Sequence, residues 1–441
     1  MPRLFGTDGV RGVANKELTP DLALALGRAA GTVMAPHGEV VVGRDTRASG
    51  PMLEGALVAG LCSAGVTVRL AGIVPTPAVA FLTVEDKASA GAVISASHNP
   101  VPDNGIKFFS REGLKTSAEV EDRIERLMQA GRFELPIGPE VGSVELIPDA
   151  LDRYVDHVVA SPARSLDGLE VVLDCAYGAA WEAGPAAFAR AGAEVVAINA
   201  EADGNRINVN CGSTNLSDLA ARVVAEGARL GLAFDGDADR VLAVDERGEH
   251  VDGDRILGLT AVHLSELGEL DNGMVVATVM SNLGFKRALE ERGIEVVFSP
   301  VGDKYVAEAM AQHGAVLGGE QSGHVIMGKH TTTGDGILTG LHLAAIVAGS
   351  IEPLSKLAHF FEPFPQVLIN VDVAAKHMLE SHEPLWEEVR SVERRLGEEG
   401  RVLLRASGTE PLVRVMVEAA DPATAQAVAE DLAGTVRDYL N

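Results

Sequence analysis

The sequence predicts an α/β protein built from three related domains, followed by a smaller α+β domain. Three times along the chain, a β-rich run leads through an amphipathic helix pattern to a second β-rich run, a spacing typical of a βαβ crossover. The strand runs are continuously apolar rather than alternating, which favours sheets covered on both faces by helices. The paired runs are 39–45 with 64–70, 169–175 with 192–198, and 273–279 with 294–300.

The end of the chain has a different pattern. Two strand-like runs, 401–407 and 412–419, flank a glycine-containing loop, and a helix pattern over 423–439 closes the sequence. The two prolines of 361–366 indicate a linker, and weaker breaks fall near Pro148 and Asp252. We therefore expect domains at 1–150, 151–251, 252–366 and 367–441.

Composition excludes several classes of function. The net charge of −26 argues against a nucleic acid or an anionic membrane as partner. Three cysteines without a CxxC pair fit a reducing compartment. The first residues lack the apolar stretch of a signal peptide, and the apolar run 341–351 is too short to cross a bilayer. These observations predict a cytoplasmic protein.

The segment DGDADR at 235–240 is the strongest chemical signal. In an extended segment Asp235, Asp237 and Asp239 would point to one side. Their repulsion would raise their pKa values unless a cation lay among them, and oxygen ligands suit a hard divalent ion. A helix-loop-helix Ca²⁺ site is less suitable, because Arg240 occupies the position that needs glycine and both flanks resemble strands.

A second segment presents a serine at the end of a predicted strand. Ser97 begins the run Ser-His-Asn-Pro within 91–109, and Asn99 and Pro100 favour a tight turn. A hydroxyl in such a turn is well placed for nucleophilic chemistry. An ordinary polar turn would have the same sequence, so this segment alone does not decide between the two.

Two further segments carry groups suited to a sugar phosphate. Arg405, Ser407, Gly408 and Thr409 combine a guanidinium, two hydroxyls and an open backbone, which suits a phosphate clamp. An exposed hairpin connection is the alternative.

Glu320 and Ser322 lie two residues apart and would face the same way in an extended loop, where they could grip adjacent hydroxyls. His324 follows as a candidate proton shuttle or a structural histidine. Around Arg11, and at Arg44 and Arg47, an acidic protein could keep local positive charge.

Taken together, these segments resemble the α-D-phosphohexomutase family, and the resemblance covers nearly the whole chain. FGTDGVRG (5–12), ISASHNP (94–100), DGDADR (235–240), GEQSGH (319–324) and RASGTEP (405–411) occur in the family's order. The family has three mixed-sheet α/β domains and a C-terminal α+β domain around a central cleft, so the same fold is implied here.

The resemblance also implies roles for individual residues. Ser97 matches the phosphoserine, and its phosphate would join Asp235, Asp237 and Asp239 in binding one Mg²⁺. Glu320 and Ser322 match the sugar-binding loop, while around Gly302 only a cleft location carries over. The site of the non-reacting phosphate corresponds to Arg405, Ser407, Gly408 and Thr409. Positions near the reacting group are matched by Arg11, His98, Lys107, Arg240 and His324.

The implied reaction interconverts glucosamine 6-phosphate and glucosamine 1-phosphate, on the route to UDP-N-acetylglucosamine. It proceeds through a phosphoserine enzyme and a hexosamine bisphosphate intermediate, in a monomer or homodimer. A mutase of mannose or glucose phosphates would share nearly every residue named. A Mg²⁺-dependent sugar phosphatase and a non-catalytic sugar-phosphate sensor are more distant alternatives.

Overall fold

The structure is a computed structural model that describes residues 3–6, 8–162, 164–406 and 411–441. By its internal contacts the chain divides into two units. The first comprises Met1–Thr278 and Ile294–His359, and the second comprises Val279–Gly293 and Phe360–Asn441. No helix of the described residues is both long and apolar enough to cross a membrane.

The first unit begins with a six-stranded mixed sheet in the order β1-β5-β4-β2-β3-β6. Strands β4, β2, β3 and β6 run parallel, whereas β5 is antiparallel to both β1 and β4. The strands are β1 Val10–Val13, β2 Glu39–Arg44, β3 Thr67–Ile73, β4 Ala90–Ile94, β5 Asp103–Ser110 and β6 Val144–Leu146. The helices are α1 Pro20–Met34, α2 Gly50–Ser63, α3 Thr76–Glu85 and α4 Ala118–Ala130.

A second mixed sheet has five strands in the order β11-β10-β9-β7-β8. Its parallel strands are β8, β7 and β9, and β10 and β11 add antiparallel pairs at one edge. The strands are β7 Glu170–Asp174, β8 Glu194–Ile198, β9 Leu230–Phe234, β10 Val241–Asp245 and β11 His250–Val251. The helices are α5 Ala150–Val159, α6 Ala180–Arg190 and α7 Ser217–Glu226.

The third sheet has the order β13-β12-β14-β15, with only the last pair antiparallel. The strands are β12 Met274–Thr278, β13 Glu295–Ser299, β14 Leu317–Gly319 and β15 Val325–Met327. The helices of this part of the chain are α8 Gly253–Glu266, α9 Leu283–Glu290, α10 Asp303–His313, α11 Gly336–Gly349 and α12 Leu354–Leu357, of which α9 belongs to the second unit.

The second unit has a three-stranded antiparallel sheet in the order β16-β18-β17. Its core is aliphatic, with Val413, Val415 and Val417 of one strand all buried. Glu418 is buried beside them and accepts hydrogen bonds from Arg401 Nε at 2.8 Å and Leu283 N at 3.0 Å. The elements are β16 Gln366–Asp372, α13 Glu383–Leu396, β17 Gly400–Ala406, β18 Leu412–Ala419 and α14 Pro422–Leu440.

Local sequence explains these elements. Strand β2 is buried through Val40, Val41 and Val42, as expected for a strand between two helical layers. Helix α1 begins after Thr19, whose Oγ1 accepts a hydrogen bond from Leu22 N, and such caps satisfy the first free backbone amides of a helix.

The predicted fold class is confirmed. All six β-rich runs of the repeated pattern are strands, and the C-terminal strands and helix are present. The first three sheets are mixed rather than purely parallel, and the last is antiparallel. The domain limits 1–150, 151–251, 252–366 and 367–441 stay predictions.

Candidate active site

Ser97 lies in a turn three residues after β4 and is almost fully buried, with 1% of its surface exposed. Its backbone is left-handed, with φ of 51°, which is uncommon for a residue other than glycine. The Ser97 hydroxyl donates a hydrogen bond to Asp235 Oδ2 at 2.5 Å and lies 3.3 Å from His98 Nδ1. Folding thus brings the serine against a carboxylate 138 positions away.

Asp235, Asp237 and Asp239 form a buried acidic trio in the turn between β9 and β10. One carboxylate oxygen from each lies within 4.8 Å of those of the other two. The segment is not extended as the sequence predicted, because Ala238 adopts φ of 58° and its amide donates to Asp235 O at 3.1 Å. The three carboxylates converge because the chain turns, not because they alternate along a strand.

The trio fits a divalent cation. Asp237 Oδ1 and Asp239 Oδ1 are buried without a hydrogen-bond partner among the residues that the structure describes. Unpaired buried carboxylate oxygens are costly, and oxygen-rich sets of this kind are what Mg²⁺ prefers. Burial, together with Asp239 and Asp237, raises the pKa of Asp235 well above its usual range, a penalty that a cation would relieve.

Lys107 of β5 is the buried cation already present beside the trio. Its Nζ donates to Asp237 Oδ2 at 2.8 Å and lies 3.5 Å from Asp239 Oδ2. Burial alone would lower the pKa of Lys107, but the two carboxylates raise it, so the ammonium stays charged. Burial would raise the pKa of Asp237, but Lys107 and the hydroxyl of Thr76, which donates to Asp237 Oδ2 at 2.6 Å, hold it below its usual range.

Two arginines border the serine turn. Arg240 Nη1 lies 3.1 Å from His98 Nδ1. Burial, Arg240 and Arg11 lower the pKa of His98 to about 4, so its imidazole is neutral near pH 7. Arg11 donates from Nη1 to Asn99 Oδ1 at 3.2 Å and from Nη2 to Asp8 Oδ2 at 2.9 Å. Positive charge therefore gathers on this side of Ser97.

An alternating chain of charges connects Arg11 to the third sheet. Asp8 accepts from Lys115 Nζ at 2.5 Å as well as from Arg11, and Lys115 also pairs with Asp303. Asp303 Oδ2 lies 3.5 Å from Nε2 of the buried His324, whose backbone pairs with that of Arg240 in an isolated bridge. The structure thus brings His324 and Asp303 to the same region as Arg240.

Glu320 and Ser322 lie in a tight turn between β14 and β15, where Gly323 N donates to Glu320 O at 2.9 Å, and not in the extended loop that the sequence predicted. Ser322 Oγ is 3.4 Å from Glu320 Oε2, and Gly302 N donates to Glu320 Oε1 at 3.0 Å. Ser322 is exposed and Glu320 is half-buried, so both polar groups are available to a ligand at this turn.

Arg405 lies on β17 in the second unit, opposite Arg414 of β18 in the sheet register, and is half-buried. Ser407, Gly408 and Thr409, predicted to belong to the same clamp, lie outside the described residues.

The interpretation of Arg44 and Arg47 as free positive charge is wrong. Arg44 Nε pairs with Glu54 at 2.6 Å, and Arg47 is fully buried against Asp45 at 3.0 Å. Two residues of the site were not predicted from the sequence. Thr76 contacts Asp237 of the trio, and Lys115 contacts Asp8. Nothing in their local sequence marks them, since their partners are 161 and 107 positions away.

Models of the phosphoglucomutase/phosphomannomutase family match four consecutive segments of the chain. The α/β/α domain I matches residues 2–135, domain II matches 152–248, domain III matches 252–364, and the C-terminal domain matches 368–435.

Full-length relatives agree with this match. The phosphoglucosamine mutase of Rhodococcus opacus is 55% identical over 442 residues, covering 99% of each chain. That of Moorella thermoacetica is 54% identical over 426 residues, covering 96% of each chain.

Solved structures of this family share the fold. A phosphoglucomutase/phosphomannomutase family protein from Burkholderia thailandensis has a TM-score of 0.85 at 28% identity, covering 98% of this chain and 97% of its own. The N-acetylphosphoglucosamine mutase of Aspergillus fumigatus, solved with GlcNAc-6P and magnesium, has a TM-score of 0.73 at 19% identity over 99% and 96% of the two chains, which shows the fold alone. The chain belongs to the phosphoglucomutase/phosphomannomutase family, the α-D-phosphohexomutases.

Proposed function

We propose that the protein interconverts glucosamine 6-phosphate and glucosamine 1-phosphate, the activity that the names of its relatives describe. The observation that carries the proposal is the Ser97 hydroxyl, 2.5 Å from one member of a buried aspartate trio in which two oxygens have no hydrogen-bond partner among the described residues. A phosphoryl group on this hydroxyl would lie beside this trio, two of whose carboxylates are paired with the ammonium of Lys107.

Ser97 serves as the phosphoryl relay. In the first half-reaction the bond from Ser97 Oγ to phosphorus breaks, the free hydroxyl of the sugar phosphate forms the new bond, and the proton of that hydroxyl ends on Ser97 Oγ, from which the second half-reaction returns it. The product is a hexosamine bisphosphate. After the sugar reorients, its other phosphoryl group returns to Ser97 Oγ, and the released sugar hydroxyl takes up a proton. No phosphate is lost to water in the cycle.

The trio Asp235, Asp237 and Asp239 would hold one Mg²⁺ together with an oxygen of the serine phosphate. When bound, the ion neutralises charge that develops on the transferring phosphoryl oxygens. Lys107 holds Asp237 by its ion pair and keeps a positive charge within the site. Transfer of a phosphoryl group depends mainly on such positioning and charge stabilisation.

Two arginines and two histidines act around the reacting group. Arg240 and Arg11 supply positive charge to phosphate oxygens, and the neutral imidazole of His98 offers Nδ1 at 3.3 Å from Ser97 Oγ. His324 completes this set from the third sheet.

Two further sets orient the substrate. Glu320 and Ser322 bind sugar hydroxyls at the β14–β15 turn. Arg405, with Ser407, Gly408 and Thr409, binds the phosphate that is not reacting. A dedicated second phosphate site favours a mutase over a phosphatase, because a phosphatase has no need to hold the far end of its substrate. The cytoplasmic location and the monomer or homodimer state stay predictions.

Intact mass and turnover test the relay together. We expect the purified protein to carry one phosphoryl group that Ser97→Ala removes, and Ser97→Ala to lose almost all interconversion of the two glucosamine phosphates. Ser110→Ala, at the end of β5, is the control for replacing a hydroxyl elsewhere in the same sheet. Interconversion at the wild-type rate in Ser97→Ala would disprove the relay.

Two more assays separate the alternatives. Steady release of inorganic phosphate from the sugar phosphate would indicate a phosphatase instead. Comparing kcat/KM for glucosamine, glucose and mannose 1-phosphates tests the amino-sugar assignment, and a preference for mannose or glucose phosphate would move the protein to another activity of the same family.

A further inference from the structure

We propose that Arg47 and Asn208 are positioning residues that together hold the Ser97 turn so that its hydroxyl is aligned for phosphoryl transfer. The inference rests on the proposed function, since it assigns to these residues the placement of the relay serine. Neither residue belongs to the metal trio or to the sugar-binding turn.

The guanidinium of Arg47 donates hydrogen bonds to Asp45 and to four carbonyls in and beside the serine turn. Its Nε donates to Asp45 Oδ2 at 3.0 Å, its Nη1 to the carbonyls of Pro100 at 2.6 Å and Asp103 at 2.9 Å, and its Nη2 to those of Ser97 at 3.0 Å and Asn99 at 2.8 Å. These contacts use all five N–H donors that a guanidinium has. Arg47 is 0% exposed, so it has neither a donor nor access left for a phosphate.

Asn208 holds the same turn from the second sheet's side. It lies between β8 and α7, and its Nδ2 donates to Ser97 O at 2.9 Å and to Asn99 O at 3.2 Å. The two carbonyls therefore each receive one donor from Arg47 and one from Asn208. Because both neighbours are acceptors, the amide must present its NH₂ group here, even though its Oδ1 is left buried without a partner in the described part of the chain.

The amide of Ser97 is held by the same network. Ser97 N donates to Ser95 Oγ at 2.9 Å, and Ser95 Oγ donates to Asp45 Oδ2 at 2.6 Å, the oxygen that also accepts from Arg47. The carbonyl of Ser97 thus accepts from Arg47 directly, and its amide is linked to Asp45 through Ser95. Both groups depend on the buried ion pair Asp45–Arg47. A left-handed backbone at a non-glycine residue persists only where its surroundings fix it, and this network supplies that constraint.

The hydrogen-bond network around Ser97 should affect the rate of phosphoryl transfer rather than the affinity for substrate. The network reaches the reacting hydroxyl through the backbone of Ser97, and among the described residues none of its hydrogen bonds goes to the sugar-binding turn. A displacement of about 1 Å at a reacting group is enough to cost on the order of a hundredfold in rate. Loosening the turn should therefore lower kcat while leaving KM nearly unchanged.

Asn208→Gly is the decisive variant, and Asn210→Gly is its matched control. Both asparagines have left-handed backbones on the same loop, with φ of 60° and 54°, and glycine keeps that conformation without strain. Asn210 is exposed. We expect kcat for glucosamine phosphate interconversion to fall about tenfold or more in Asn208→Gly. KM should stay within about twofold of the control, as for an intact substrate site.

Arg47→Lys tests the other positioning residue. An ammonium has three donors and no planar fork, so it cannot replace five bonds to acceptors on different residues. We expect a loss of kcat on the order of a hundredfold. Because this change also affects a buried ion pair and hence folding, Asn208→Gly decides the question.

Equal kcat in Asn208→Gly and Asn210→Gly would overturn the inference, as would a raised KM with unchanged kcat, which would place Asn208 in substrate binding. Wild-type protein serves as the reference for the proposed function itself. If wild type lacks mutase activity, the proposed function fails; if wild type is active and Asn208→Gly matches it, only the positioning role fails.

Discussion

Asp237→Asn should weaken cation binding although it changes the size of the side chain very little. Asp237 Oδ2 accepts from Lys107 Nζ at 2.8 Å and from Thr76 Oγ1 at 2.6 Å, while Oδ1 is buried without a partner among the described residues. The first oxygen is held by the protein, and the second is the one available to a metal ion. An asparagine has only one oxygen to serve both positions.

Each orientation of the amide loses one of these interactions. With its oxygen toward Lys107, the NH₂ group occupies the position of the free oxygen, and an amide nitrogen that carries two protons is no ligand for Mg²⁺. With its oxygen toward the ion, the NH₂ group meets the ammonium of Lys107 across 2.8 Å. Losing one partner of a buried ion pair costs about 3–5 kcal/mol. Either way we expect Mg²⁺ affinity to fall at least the 10–100-fold typical of losing an outer-shell partner.

Calorimetric titration with Mg²⁺ measures this loss directly and requires no turnover. Unfolding gives a second readout. At a free Mg²⁺ concentration about 100 times the wild-type Kd, binding stabilises the native protein by about 2.7 kcal/mol, whereas a hundredfold weaker site gains about 0.4 kcal/mol. Asp245→Asn is the control, because Asp245 is also buried but lies at the far end of β10 from the trio and accepts from the backbone amides of Arg247 and Glu249. Wild-type Mg²⁺ affinity in Asp237→Asn would refute the assignment of the trio as the cation site.

Three further predictions concern other parts of the molecule. A Cβ added by Gly334→Ala would lie 2.3 Å from His324 Nε2, so the imidazole ring must move. We expect kcat to fall while calorimetry shows unchanged Mg²⁺ affinity. A wild-type kcat in this variant would exclude a role for the ring. Burial and His330 lower the pKa of His342 to about 3 in the folded protein. As the pH drops below about 6.5, His342 is protonated in the unfolded chain but not in the folded protein, so the free energy of unfolding decreases. That loss is about 2 kcal/mol by pH 5, and urea unfolding at pH 8 and pH 5 should show a smaller difference in His342→Gln; an equal difference would contradict it. Arg405→Ala should raise KM for glucosamine 6-phosphate more than it lowers kcat, and steady-state kinetics with wild-type KM would contradict its phosphate-binding role.

Local sequence was sufficient to predict the features whose partners lie close along the chain. The strands of the repeated pattern follow from continuous apolar runs, since a strand between two helical layers has no exposed face to make polar. The aspartate trio was predicted because three carboxylates within five residues would share one side of an extended segment. The extended geometry was wrong for the same segment, because the left-handed backbone of Ala238 is not marked by a glycine.

How deeply Arg44 and Arg47 are buried could not be predicted from local sequence. Arg44 and Arg47 look alike in sequence, three residues apart, and both suggest a surface that attracts phosphate. In the structure Arg47 is fully buried and donates to carbonyls 50 and 52 positions away, on the turn that presents Ser97. Whether an arginine faces solvent or serves as a buried support depends on what packs over it, which no local pattern records.

By itself, then, the sequence determined the fold class, the position of the serine turn and the identity of the three carboxylates, because apolar periodicity and short motifs act over a few residues. Only the tertiary structure decided which groups meet: Ser97 with Asp235, Lys107 and Thr76 with Asp237, and Arg47 and Asn208 with the carbonyls of the serine turn. These contacts join residues 50 to 161 positions apart, and they arise from the way the first two sheets pack their loops together. Hydrogen bonds and ion pairs of this kind depend on distances of a few ångströms, which are fixed once the chain has folded.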